Sequence, residues 1–234
     1  MFVYFTARII SMSTQTPIHE IANLDLLKII PSNIEFLLEV GCSSGALARE
    51  YKKINPHCFY EGLEIDGGYA ELAKRHCDNV LVGDIEFVNE DFWLKNSNVQ
   101  CWIFADVLEH LKDPWSVLKK IHHVLPEDGF IVACIPNVQH WSIQVDISLG
   151  NFRYQDIGLL DKTHLRWFTR KTIVELFEST GYKIVDLTGR IVEDSRRENY
   201  LSIIQRLATR AGGNASEAMN DALAHQYLVR AIKK

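Results

Sequence analysis

Long hydrophobic runs, blocks of like charge, paired-cysteine motifs and internal repeats are all missing from this chain of 234 residues. A membrane-spanning helix needs roughly 20 apolar residues in a row. The start, MFVYFTARIISM, is broken by Arg8 and falls short of that. It also lacks the basic region and small-residue cleavage site of a signal peptide. Residues 1–20 are read as a flexible tail or an extended start, with Met12 as an alternative initiator. With no like-charge block and a net charge of −5, a nucleic-acid backbone is not favoured as a partner. The five cysteines (Cys42, Cys58, Cys77, Cys101, Cys134) are scattered, odd in number and never spaced C-x-x-C. That spacing suggests neither a disulfide framework nor a zinc knuckle, and a reducing cytoplasm fits. Hydrophobic residues make up 47% of the chain, enough for a packed core, which excludes a disordered protein.

What is present is alternation. Short apolar runs exchange with helical patterns, which predicts an α/β fold with helices on both faces of a mostly parallel sheet. Strands are expected at Phe36–Val40, Phe59–Glu64, Asn79–Val82, Gln100–Phe104, Phe130–Ile135, Tyr182–Leu187 and Gln226–Ile232. The clearest helices are Ala46–Lys53, Gly68–His76, Pro114–Val124 and Arg170–Thr180. Asp113 before Pro114, and Thr169 before Arg170, have the chemistry of N-caps, while Gly181 ends the last helix. Two stretches break the alternation, at about 137–162 and 194–224. They are expected to be cap insertions on a single domain spanning 21–234, lying over the carboxyl ends of the strands.

The strongest local signal is FLLEVGCSSGALARE: a strand, a loop bracketed by Gly41 and Gly45, then a helix. Glycines let backbone approach a ligand closely, and a helix start offers free N–H groups. A dinucleotide G-x-G-x-x-G starting at Gly41 would need glycines at 43 and 46, where Ser43 and Ala46 stand. An NAD-dependent oxidoreductase is therefore the weaker reading. Glu64 closes the next strand, 64 − 41 = 23 residues on, where an acid can accept both ribose hydroxyls. Asp84 closes the third strand, placed to accept from an exocyclic amine. Singly, each acid could equally be a solvated strand end or a helix cap.

In this order, EVGCSSG, GLEID and GDIE resemble the three cofactor motifs of class I S-adenosylmethionine-dependent methyltransferases. The resemblance runs from about Asn23 to the end. It implies a doubly wound, Rossmann-like, seven-stranded sheet of order 3-2-1-4-5-7-6 with strand 7 antiparallel. It implies S-adenosyl-L-methionine as cofactor and S-adenosyl-L-homocysteine as product. Gly41, Gly45 and nearby backbone would hold the methionine part, Glu64 the ribose, and Asp84 with Ile85 the adenine. Glu39, Cys42, Ile65 and Ala105 complete the implied cofactor-binding set. Ser43 departs from the glycine many members carry. A catalytically silent nucleoside-binding module of the same fold is the non-enzymatic alternative.

On the acceptor side, Asp106, Glu109 and His110 stand at i, i+3 and i+4, one face if the segment is helical. His164 follows 164 − 110 = 54 residues later, in GLLDKTHLRWFTR. The phrases DVLEHLKDPW, IPNVQHWS and LLDKTHLRWFTR resemble bacterial methyltransferases associated with cell-surface glycan gene sets. The acid-x-x-Glu-His run is similar to one in the ubiquinone-pathway O-methyltransferases and the plant small-RNA 2′-O-methyltransferases, where it binds a divalent metal ion. That likeness implies a metal set of Asp106, Glu109, His110 and His164, with Asp106 in place of their Glu. Without metal, His110 or His164 could act as a general base, since an imidazole titrates near neutrality. Both could also be structural. His140 and Trp141, directly after strand five, and Arg166 are candidates for substrate contact. Arg153 and Arg170 could likewise meet an anionic acceptor. His122 and His123 are expected to be inert on a surface helix. The expected reaction is methyl transfer to an oxygen of a small molecule or glycan precursor.

Overall fold

The computed structural model describes residues 16–18 and 20–234. The start read as a tail or extended segment therefore lies mostly outside the described residues. The elements run α1 (Leu24–Ile29), β1 (Phe36–Val40), α2 (Ala46–Ile54), β2 (Phe59–Glu64), α3 (Gly67–Ala73), β3 (Asn79–Val82), α4 (Glu90–Lys95), β4 (Cys101–Ala105), α5 (Pro114–Val124), β5 (Phe130–Pro136), α6 (Trp141–Ser148), α7 (Arg170–Ser179), β6 (Tyr182–Ile191), α8 (Glu198–Arg210), α9 (Ala215–Leu223) and β7 (Ala224–Lys233).

The strands form one sheet of order β3-β2-β1-β4-β5-β7-β6. β7 is antiparallel to both neighbours and the others run parallel. The expected seven-stranded order is the one observed. β6 and β7 are each longer than their apolar runs suggested, because the antiparallel pair carries its ladder into polar sequence, from Tyr182↔Lys233 to Ile191↔Ala224.

Alternation along the inner strands sends side chains to opposite faces. Leu38, Val40, Trp102, Phe104, Ile131 and Ala133 join one core layer with Phe92 and Trp93 of α4, Leu118 and Ile121 of α5 and Phe177 of α7. Leu37, Cys101, Ile103, Val132 and Cys134 join the other with Leu26 of α1, Leu47 and Tyr51 of α2 and Ala73 of α3. Each large side chain taken fully out of water contributes about 1.5–3 kcal/mol. All five cysteines are buried free thiols.

The caps are as their chemistry suggests. The Asp113 side chain accepts from the Ser116 N–H, and Thr169 forms a reciprocal capping box with Thr172. The two stretches outside the alternation pack on each other. Trp141 of α6 stacks on Tyr200 of α8, ring centroids 5.6 Å apart and nearly parallel, within a cluster that includes Leu201, Ile204 and Ala222. Among the described residues, no helix is long and apolar enough to cross a membrane.

His140, ahead of α6, gives this packing a pH dependence. Burial, and then the nearby His225, depress its pKa from 6.5 to about 4. The unfolded chain therefore takes up a proton that the folded chain refuses between about pH 6.5 and 4. Stability is full above that window and falls through it as the pH drops. Urea denaturation should show His140→Phe losing less stability between pH 6.5 and 4.5 than the wild type. Parallel pH profiles would mean that His140 titrates normally.

Candidate active site

β1, β2, β4 and β5 all point their carboxyl ends to the same edge, and the chain reverses its direction of winding between β1 and β4. Open α/β sheets form a crevice at such a point. A cavity of about 650 Å³ lies there. Its lining includes Glu39 of β1 with Gly41, Cys42 and Ser43 after it, Glu64 of β2 with Ile65 after it, Asp84 and Ile85 after β3, and Ala105 of β4 with Glu109 and His110 after it. His164 of the later loop and Arg190, His225 and Gln226 of the β6–β7 pair also line it, as does Asp106. Gly45 does not line it. It serves as the N-cap of α2 at φ +76°, where a Cβ would press on the Ala73 backbone.

The loop after β1 is bent by three left-handed residues, Gly41 at φ +69°, Ser43 at φ +48° and the N-cap Gly45. Ser43 thus holds the backbone shape that suits a glycine, the residue the resemblance expects there. The Ser43 N–H donates to Glu64 Oε2 at 2.8 Å, and the Asp66 N–H donates to Glu64 Oε1 at 3.0 Å. The carboxylate is thereby fixed at the cavity wall with acceptor capacity left over. Asp66 itself caps α3, accepting from Gly68 and Tyr69. Asp84 accepts from the Glu86 N–H at 2.9 Å. Glu39 accepts from the Tyr60 hydroxyl at 2.7 Å, and burial raises its pKa to about 8, so it is protonated at neutral pH.

A Cβ at Gly41 would fall 2.6 Å from Val107 Cγ2, in addition to the left-handed strain. Gly41→Ala should therefore lose about 1–3 kcal/mol of stability. Pairing it with Val107→Ala should recover part of that loss beyond the sum of the single changes. Strict additivity in chemical denaturation would show that the contact is not the cause.

The acceptor-side segment departs from expectation. Asp106 takes φ +57° and only Leu108–His110 forms a short 3-10 turn, so Asp106, Glu109 and His110 do not share a helix face. Gln226 Nε2 donates to Asp106 Oδ1, drawing that carboxylate toward β7. The candidate ligand group among the described residues is Glu109, His110 and His164, with one ligand atom from each lying within 4.8 Å of the others. Asp106 stands outside it.

The Glu109 turn is held from a distance. The N–H groups of Leu165 and Arg166 both donate to its carbonyl, at 2.8 and 2.9 Å. Its side chain is 1% exposed, and neither carboxylate oxygen has a hydrogen-bond partner. Burial, and then Asp106, push its pKa well above the usual carboxylate range. The imidazoles of His110 and His164 meet edge to face, centroids 4.8 Å apart, and His164 Nε2 lies 3.9 Å from Glu109 Oε1. Burial, and then His110, depress the His164 pKa to about 4. Burial lowers His110 as well.

The substrate candidates His140, Trp141 and Arg166 do not line this cavity. His140 bonds Ser142, Trp141 stacks on Tyr200, and Arg166 reaches the Lys112 and Leu165 carbonyls. Arg170 is ion-paired with Asp221 and Glu217. His122 packs edge to face on Tyr182. Sequence reading missed Arg190, His225 and Gln226. Arg190 is the one Lys or Arg side chain lining the cavity among the described residues, and it pairs with Asp25 and Gln226.

A family model described as a methyltransferase domain matches residues 21–187. The chain is also similar to solved structures at low identity. Magnesium protoporphyrin IX methyltransferase from Synechocystis, with bound S-adenosylhomocysteine, matches with TM-score 0.57 at 9% identity, over 90% of this chain and 80% of that one. The O-methyltransferase NcsB1 of neocarzinostatin biosynthesis matches with TM-score 0.55 at 11% identity, over 90% and 52%. The mitomycin 7-O-methyltransferase MmcR matches with TM-score 0.57 at 12% identity, over 89% and 52%. The chain spans about half the length of these last two.

Proposed function

The chain belongs to the methyltransferase-domain family, as a class I S-adenosylmethionine-dependent enzyme, and from that premise we propose that it methylates an oxygen of a small molecule or glycan precursor. One observation carries the oxygen reading. The cavity that holds Gly41, Glu64 and Asp84 also holds a buried carboxylate with unpartnered oxygens beside two imidazoles. A neutral amine needs almost no help to attack a methyl sulfonium, whereas a sugar hydroxyl must lose its proton.

Each part then has a task. Glu64 accepts from the ribose hydroxyls, Asp84 and Ile85 flank the adenine, and the loop after β1 faces the methionine part. Cys42, Ile65 and Ala105 line the same wall, and Glu39, protonated, can donate a hydrogen bond. S-Adenosylmethionine supplies a methyl on a sulfonium leaving group, so the protein mainly aligns oxygen, carbon and sulfur and excludes water. Residues 21–234 act as one domain, with the 137–162 and 194–224 segments as its cap.

The trio Glu109, His110 and His164 fits a divalent cation by its chemistry. A buried carboxylate without hydrogen bonds is costly unless it is neutralised or paired with a cation. A mixed carboxylate and imidazole set suits several divalent ions, and such an ion would lower the pKa of the acceptor hydroxyl. In the metal-free alternative, a neutral imidazole of His110 or His164 takes the acceptor proton directly. Both histidines have depressed pKa values, so both are neutral at pH 7.

The test is incubation with methyl-deuterated S-adenosylmethionine and a panel of sugars, phenols and amines, with mass spectrometry of the products. Label on a hydroxyl oxygen, lost with chelator and restored by Mn²⁺ or Mg²⁺, is the expected result. Label confined to amines would overturn the oxygen reading. Activity indifferent to chelation would leave the imidazole base.

A further inference from the structure

The loop segment Asp161–His164 places a chain of hydrogen bonds behind His110. Asp161 is 1% exposed, and its Oδ1 accepts from the Thr163 N–H at 2.8 Å and from the Thr163 hydroxyl at 2.7 Å. Its Oδ2 accepts from the Thr16 hydroxyl at 3.3 Å. Thr163 Oγ1 lies 3.0 Å from His110 Nδ1, and the Thr163 carbonyl oxygen lies 3.2 Å from the same nitrogen. Asp-x-Thr is a sequence in which an Asp side chain closes a turn on the N–H two residues on.

A threonine hydroxyl has one proton to give. Here its shortest contact is to a carboxylate, which can only accept, so the proton goes to Asp161. The hydroxyl oxygen then faces His110 as an acceptor, and the Thr163 carbonyl can be nothing else. Both groups within reach of Nδ1 are therefore acceptors, and Nδ1 must carry the hydrogen. A neutral imidazole with its proton on Nδ1 has its lone pair on Nε2.

We infer that Asp161 and Thr163 are positioning residues that lock His110 in the Nδ1–H form and keep its Nε2 lone pair free for the chemistry of the cavity. The inference rests on the acceptor-side reading of His110, and it serves that reading whether Nε2 meets a cation or an acceptor proton. Partners behind a ligating or basic imidazole fix its tautomer and ring orientation, and their loss typically lowers metal affinity or activity about 10–100-fold.

The experiment is two-bond ¹H–¹⁵N correlation NMR on the full chain with ¹⁵N-labelled histidine, after chelator treatment, at neutral pH. The His110 signals are identified by their disappearance in His110→Gln. The expected spectrum shows His110 as the Nδ1–H tautomer. Asp161→Ala should shift it to a mixture and lower kcat about tenfold, with KM for S-adenosylmethionine unchanged, while Thr163→Ser should keep both the tautomer and the rate. A wild-type spectrum showing Nε2–H, or two forms in exchange, would overturn the inference, and needs no variant to fold. A folded Asp161→Ala chain with unchanged tautomer and rate would overturn it too. If the wild type shows Nδ1–H yet His110→Gln is fully active, the acceptor-side reading fails and the lock itself stands.

Discussion

His110→Ala and His164→Ala should each suppress methyl transfer while leaving affinity for S-adenosylhomocysteine within about twofold. The expected loss for removing a general base is about 10²–10⁴-fold in kcat. The separation of effects follows from position. Both imidazoles line the cavity from segments other than the loops after β1, β2 and β3; their rings meet each other, and His164 lies 3.9 Å from the Glu109 carboxylate. If the trio holds a cation, the double variant should be little worse than either single one, because either change dismantles the same centre. If one imidazole is a plain base, its removal alone should account for the loss. Full activity in both single variants with the true acceptor would remove the acceptor-side reading and leave the methyltransferase assignment standing.

The second large effect belongs to Glu64. Glu64→Ala should weaken S-adenosylhomocysteine binding by at least tenfold, since a hydrogen bond to a charged group is worth roughly 1.5–3 kcal/mol. The structure adds a reason beyond the ribose. The Ser43 and Asp66 N–H groups both rest on this carboxylate, so its loss also frees the loop after β1. Asp66→Ala should act differently. That side chain caps α3, and losing an N-cap costs about 1 kcal/mol of stability. Calorimetry and thermal unfolding on both variants separate the roles. Equal loss of affinity, or a larger loss at Asp66, would mean that Glu64 does not meet the cofactor.

The inner sheet was legible because a strand buried on both faces reads as an apolar run, and the runs of β1, β2 and β4 ended at an acid or a glycine, while that of β5 ran into Pro136. FLLEV and GLE became β1 and the end of β2 with their acids where spacing placed them. The short helices α1 and α4 were not legible. Six residues give less than two turns, too few for a 3.6-residue period to show. The segment after β4 misled because i, i+3, i+4 spacing counts only in a helix. Here Asp106 adopts a left-handed φ, and the Leu165 and Arg166 N–H groups hold the Glu109 carbonyl from 56 and 57 residues away. Trp141 directly follows the strand that ends at the cavity, but its ring stacks on Tyr200 of α8. Arg190, His225 and Gln226 reach the cavity only because β6 and β7 pair at the far side of the sheet, a tertiary fact that local spacing does not encode.

The most direct test of the central claim is titration calorimetry of the purified chain with S-adenosylhomocysteine and, separately, with NAD⁺. The Gly41 loop, Glu64 and Asp84 predict saturable binding of the sulfur nucleoside near one per chain, abolished or much weakened in Glu64→Ala, and no heat from NAD⁺. Saturable NAD⁺ binding with no response to S-adenosylhomocysteine would contradict the account.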